Sequence, residues 1–113
     1  MENMKNLMRQ AVAFRDERDW KQFHNPKDLA VSLCLEAAEL LENFQWKTSD
    51  EAVGKRRAEI ADELADVFIY GLFLADALGL DPGETVLAKL AKNARKYPVA
   101  KARGSSRKYT ELD

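Results

Sequence analysis

Cysteine is nearly absent. Cys34 is the only one in 113 residues, so no disulfide closes within the chain. Because it lies in an apolar run, it is expected to be a buried, inert thiol. Histidine is as scarce, with His24 alone, which argues against a site built from several imidazoles. A di-iron bundle would want Glu-x-x-His on two helices, and His24 is in no such motif. Neither sign of charge dominates: 18 Lys and Arg against 19 Asp and Glu leave a net charge of −1. No global field therefore draws the chain to a nucleic acid polymer or to a membrane surface. Long apolar runs are missing too. The longest, residues 67–75, falls far short of the ~20 residues that span a bilayer. The start, Met1-Glu2-Asn3-Met4-Lys5, is charged where a secretory leader would be apolar, so a soluble, cytoplasmic protein is the expectation. Sustained alternation and β-branched runs are also lacking, which leaves no strand signal.

What is present reads as four main helices in a single domain over 1–113, an all-α bundle. Residues 3–19 form an amphipathic helix with Leu7, Met8, Ala11, Val12 and Phe14 inward and Arg15 to Asp19 as a solvated face. Asn25-Pro26-Lys27-Asp28 opens a second helix that runs to about Asn43, with Asn as N-cap and proline at the first helical position. Thr48-Ser49-Asp50-Glu51 is a capping box, and Gly54 is expected to separate a short helical turn from a long helix over 55–78. Gly79 suits that helix's C-terminal cap. Asp81-Pro82 starts a fourth helix that Pro98 ends near Tyr97, and residues 98–113 read as an extended tail.

Acids sit in unusual company on the second and third helices. At 100° per residue, Glu36 and Glu39 share a narrow stripe with Ser32 and Asn43, flanked on both sides by leucines and other apolar residues. Glu59, Glu63, Asp66 and Tyr70 repeat the arrangement on the next helix. A helix apolar nearly all round is a buried one, and bare buried carboxylates are costly. Two such pairs on consecutive helices offer hard oxygen ligands, which suits Mg²⁺, or Mn²⁺, better than a thiolate metal. Mg²⁺ usually completes its shell with substrate phosphates, so the pattern points to phosphate ester or anhydride chemistry. Trp20 and Trp46 flank the second helix, either as packing at its ends or as a wall on which a base stacks. Lys89, Lys92, Asn93, Arg95 and Lys96 make a polar and basic face on the fourth helix, a solvated surface unless phosphates meet it. Arg103, Arg107 and Lys108 in the tail have the same two readings. The rival to an enzyme is a non-catalytic helical module that regulates or scaffolds through its helix faces.

Five words taken in order carry a resemblance: Glu17-Arg18-Asp19-Trp20-Lys21-Gln22-Phe23-His24; Glu36-x-x-Glu39-Leu40 through Phe44-Gln45-Trp46; Glu63-Leu64-Ala65-Asp66-Val67-x-Ile69-Tyr70; Lys89-x-x-x-Asn93 with Tyr97-Pro98; and residues 102–112, from Ala102-Arg103-Gly104 to Glu111-Leu112. The chain resembles the MazG-like, all-α nucleoside triphosphate pyrophosphohydrolases, most of all their dCTP pyrophosphatase branch. The resemblance implies hydrolysis of a (deoxy)nucleoside triphosphate, dCTP or a related dNTP, to the monophosphate and pyrophosphate, as nucleotide-pool house-cleaning. It implies Mg²⁺ held by Glu36, Glu39, Glu63 and Asp66; with metal there, one of these carboxylates, Glu39 or Glu63, is expected to accept the attacking water's proton. It also implies a nucleoside pocket of Trp20, His24, Trp46 and Tyr70, and phosphate contacts from Lys89, Asn93 and Lys96. The branch often carries a histidine where this chain has Ala11, so the base stays open, damaged or methylated nucleotides included. Members of the family are homodimers or homotetramers in which a neighbouring subunit completes each site.

Overall fold

Each long helix begins at a residue whose side chain caps it. The computed structural model describes residues 3–112; the domain bounds 1 and 113, and the Met1-Glu2 start used in reading the N-terminus, lie outside them. Helix α1 is Met4–Glu17, and the Asn3 side chain accepts the Asn6 N–H at 2.8 Å. Helix α2 is Pro26–Glu42, with Asn25 accepting the Asp28 N–H at 2.9 Å and proline in the first turn. Thr48 accepts from the Glu51 N–H at 3.2 Å and opens α3, Ser49–Ala77. Asp81 accepts from the Glu84 N–H at 2.9 Å and opens α4, Pro82–Lys96. These bonds satisfy donors that a helix start otherwise leaves bare, each worth ~1 kcal/mol.

Two boundaries differ from the expectation. Residues 49–77 form one helix rather than a turn and a separate helix, because the backbone only bends, at Arg56 (φ −125°, ψ 22°), two residues past Gly54. A glycine weakens the helical ladder without ending it when both flanks carry good helix formers. The stretch after Pro98 is not extended throughout. It forms a short helix α5, Val99–Ala102, a turn at Gly104 (φ +78°) and a 3₁₀ turn over Tyr109–Glu111. Its Tyr109 ring meets Tyr97 edge-on at 6.1 Å and takes the Lys96 Nζ at 4.9 Å from its centre, which folds the tail back against the end of α4. Gly79 does cap α3 as expected. At φ +68° it lets the Leu80 N–H reach the Ala75 carbonyl at 2.8 Å and its own N–H reach Asp76 at 3.1 Å.

Helices α2 and α3 make the main packing layer, α1 lies on α3, and α4 leans chiefly on α1. The α2–α3 pair runs antiparallel: Leu33 faces Gly71 while Glu36 meets Glu63. The apolar core is small, with Leu29, Ala52, Leu72 and Phe73 buried. Leu7 and Phe14, expected inward on the first helix, and Val31 and Leu35, on an apolar flank of the second, remain substantially exposed, as does Leu41. Cys34 is exposed as well, contrary to the buried thiol expected. Arg15, expected on a solvated face, is instead 3% exposed. The Cα radius of gyration, 17.3 Å, exceeds the ~13 Å of a compact chain this long. The wide apolar circumference of α2 and α3 is thus real, but this one chain does not cover it.

Candidate active site

Antiparallel packing of α2 on α3 stacks the acid of one stripe against the acid of the other. One carboxylate oxygen each from Glu36, Glu39 and Glu63 lies within 4.8 Å of the others. Glu36 and Glu63 are half-buried, and each has a buried Oε2 with no hydrogen-bond partner. Burial, then bonding to Glu39 and Glu63 and the repulsion of Glu39 and Asp66, pushes the Glu36 carboxyl up to about 7. Burial and the same two neighbouring acids raise Glu63 as well. Orphaned oxygens of this kind are rare in folded proteins, and each implies a missing partner. Three clustered carboxylates form an all-oxygen donor set that fits a hard divalent cation.

On one side this cluster opens to a cavity of about 540 Å³ lined by Glu39, Glu42, Asn43, Arg56, Glu59 and Glu63. The bend in α3 brings Arg56 there as the one cation among the lining residues. Asp66 is not part of the three-carboxylate cluster, although its charge acts on Glu36 and Glu63. It lines a second cavity, about 510 Å³ and mainly apolar, together with Trp20, Tyr70, Phe14, Ala11 and Gln10. Asp66 therefore lines the aromatic cavity while its charge acts on the acids of the cluster. The Trp20 ring is held edge-on against Phe14 at 5.7 Å, and Tyr70 meets Phe73 at 5.7 Å. Aromatic faces of this kind can stack a flat heterocycle.

Other predicted residues are not brought to this place within the chain. His24 lines a separate cavity of about 380 Å³ with Arg15, Lys21 and Asn25, its ring 5.0 Å from Phe73. Burial and the nearby Arg15 charge lower its pKa, so it is neutral at pH 7, and its buried Nδ1 has no partner. Trp46 is 96% exposed and sits at φ +61°, a conformation that costs a bulky residue ~1–3 kcal/mol. It lines none of the cavities described here. Lys89, Asn93 and Lys96 lie on α4 and line none of the cavities described here. The sequence reading also overlooked Arg15, whose guanidinium donates to Asp76 at 2.9 Å and to Asp16 at 3.0 Å. This pair ties the end of α1 to the end of α3. The Arg15 carbonyl also accepts the Trp20 N–H at 3.2 Å. Nothing in the periodicity of a charged Arg-Asp-Glu-Arg-Asp run marks its first member as buried.

Comparison with known proteins places the chain in a family. The MazG-like family profile matches residues 31–112. Human dCTP pyrophosphatase 1 is 44% identical over 114 residues, covering 96% of this chain and 67% of that protein. The mouse protein of the same name is 40% identical over the same shares. A pyrophosphatase of known structure from Archaeoglobus fulgidus superposes with a TM-score of 0.78 at 47% identity, over 87% of this chain and 94% of that one. With most of its length matched by the family profile and by relatives of this identity, the chain belongs to the MazG-like family.

Proposed function

We infer that the protein hydrolyses deoxynucleoside triphosphates, dCTP foremost, to the monophosphate and pyrophosphate. The observation that carries this reading is the pair of orphaned, half-buried oxygens on Glu36 and Glu63 inside a three-carboxylate cluster, joined through Asp66 to an aromatic cavity. The names of the relatives, dCTP pyrophosphatase 1 and a pyrophosphatase, support the same activity.

In this reading Glu36, Glu39 and Glu63, with Asp66 beside them, hold Mg²⁺; Mn²⁺ satisfies the same donors. When bound, a divalent cation neutralises triphosphate charge and makes a nearby water more acidic. The residues of the chain do the rest. Asp66 fixes the boundary between the base and phosphate compartments. Trp20 and Tyr70 hold the base in the aromatic cavity, out of water. Glu39 or Glu63 accepts the proton of the attacking water.

A homo-oligomer, dimer or tetramer, belongs to the proposal. The chain exposes 8748 Å², about 2,500 Å² more than a compact monomer of its mass. That excess is of the order buried per subunit in obligate assemblies. Trp46, His24, Lys89, Asn93 and Lys96 would then reach substrate in a site assembled from two copies. The chain acts as a single domain over 1–113, in the cytoplasm with the nucleotide pool. No described helix is long and apolar enough to cross a membrane.

The test is pyrophosphate release across a panel of canonical and base-modified dNTPs, with and without Mg²⁺. Metal-dependent formation of dCMP and pyrophosphate from dCTP is expected. Release of orthophosphate instead, or no turnover of any dNTP, would contradict the reading.

A further inference from the structure

The aromatic cavity draws its rings from two parts of the chain. Helix α1 and the turn after it supply Phe14 and Trp20, and α3 supplies Tyr70 and Phe73. The width of this slot is therefore set by how α1 and α3 stand apart. Apolar contact has no preferred direction and fixes such a separation loosely. What a buried ion pair adds over apolar packing is direction rather than stability.

A single arginine bonds to both sides of the slot. Arg15 lies in the last turn of α1, and its buried guanidinium donates to Asp76 on α3 at 2.9 Å. Of the ion pairs among the described residues, this one alone joins two helices. The carbonyl of the same residue accepts the Trp20 N–H at 3.2 Å and the Arg18 N–H at 3.1 Å. Between them the chain turns at Asp19, φ +54°, where the Gln22 amide donates to the Asp19 carbonyl and carboxylate, each at 3.0 Å. That turn delivers the Trp20 ring edge-on to Phe14, whose centre also lies 3.7 Å from the Arg18 guanidinium. On α3, Asp76 stands one turn beyond the buried Phe73, whose ring meets Tyr70 at 5.7 Å and His24 at 5.0 Å. Neither Arg15 nor Asp76 lines the aromatic cavity; both line the smaller one that holds His24. The pair thus sits behind the slot, bonded to the backbone that carries one ring and to the helix that carries the other. We propose that Arg15 and Asp76 are a positioning pair for the nucleobase: without touching it, they hold Trp20 at a fixed distance from Tyr70 and so set how closely the slot grips a flat base. The proposal rests on the pyrophosphohydrolase reading and extends it to an ion pair outside the pocket.

The experiment compares Asp76→Asn, and Arg15→Ala combined with Asp76→Ala, in the full chain and well below every melting midpoint. KM for dCTP should rise about threefold in the first and about fivefold in the second, with kcat within about twofold. Adding either change to Trp20→Ala should raise KM no further, because a slot with one wall missing has no width to set. A second readout needs no turnover. In a Trp46→Phe background Trp20 is the remaining tryptophan, and Asp76→Asn should shift its emission to longer wavelength and lower its anisotropy as the ring loosens. A lower melting temperature with KM and Trp20 emission both unchanged would overturn the proposal and leave the pair as a tie between helices. A rise in KM fully additive with that of Trp20→Ala would also overturn it, since the pair would then act elsewhere. If the parent turns over no dNTP, the functional reading fails, while the emission still decides whether the pair holds Trp20.

Discussion

The acid-bearing pair α2 and α3 and the basic stretch from α4 to the tail have equally strong local charge, yet fare differently in the fold. On α2 and α3 the charges are drawn inward by the apolar residues around them, so Glu36 and Glu63 lose water and are crowded by the charges of Glu39 and Asp66. On α4 and the tail, the cations remain hydrated and apart from any acid, except where the turn at Gly104 gathers Lys101 and Arg107. Charge raises a protonation energy where it is desolvated and crowded; elsewhere it mainly steers and attracts. The first region gathers an all-oxygen donor set that fits a hard cation; the second leaves its cations without acid partners among the described residues.

The change expected to weigh most in this contrast is Glu63→Gln. It removes one ligand oxygen and one of the crowded charges, so turnover should fall at least ~10³-fold while the helical circular dichroism stays and the melting temperature does not drop. Loss of the helical signal would make the acid structural. Metal and pH sharpen the comparison next. A carboxyl held near 7 in the fold takes up more protons there than in the unfolded chain, where it titrates near 4.5. The metal-free protein should therefore lose stability as pH rises through that window. Mg²⁺ displaces the proton, so it should raise the melting temperature at about pH 8 and have little effect at about pH 5. An equal shift at both would separate the cation from these acids.

Trp46→Ala should act more modestly, raising KM for dCTP by about tenfold with kcat little changed, as loss of one stacked base contact predicts. An unchanged KM would take this ring out of the pocket. Asp76→Asn has the smallest expected effect, about 1–3 kcal/mol of stability lost because the buried Arg15 keeps only Asp16 as an ionic partner. Scanning calorimetry should register this as a fall of several degrees, with turnover at low temperature retained. An unaltered melting temperature would show that this ion pair does not hold α1 on α3.

Helix starts were the most legible part of the sequence, since Asn25, Thr48 and Asp81 act through bonds only three residues long. The acid pairing was legible too, because period and composition together place Glu36, Glu39 and Glu63 on facing stripes. The depth of burial was not. Periodicity tells which face is apolar but not what covers it, so Leu7, Phe14 and Cys34 were expected inside and lie exposed in this chain. The same ambiguity hid Arg15, which a tertiary contact 61 residues away draws inward. Asp66 was read with its neighbours as one cluster of four. The structure leaves it at the border with the aromatic cavity, a step of geometry finer than a helical wheel resolves.

Anomalous scattering from crystals grown with Mn²⁺ goes straight to the central point. A difference peak among the carboxylate oxygens of Glu36, Glu39 and Glu63 is predicted, and in Glu63→Gln it should vanish or weaken sharply. A peak lodged elsewhere, or none at saturating metal with those oxygens still crowded together, would contradict the account.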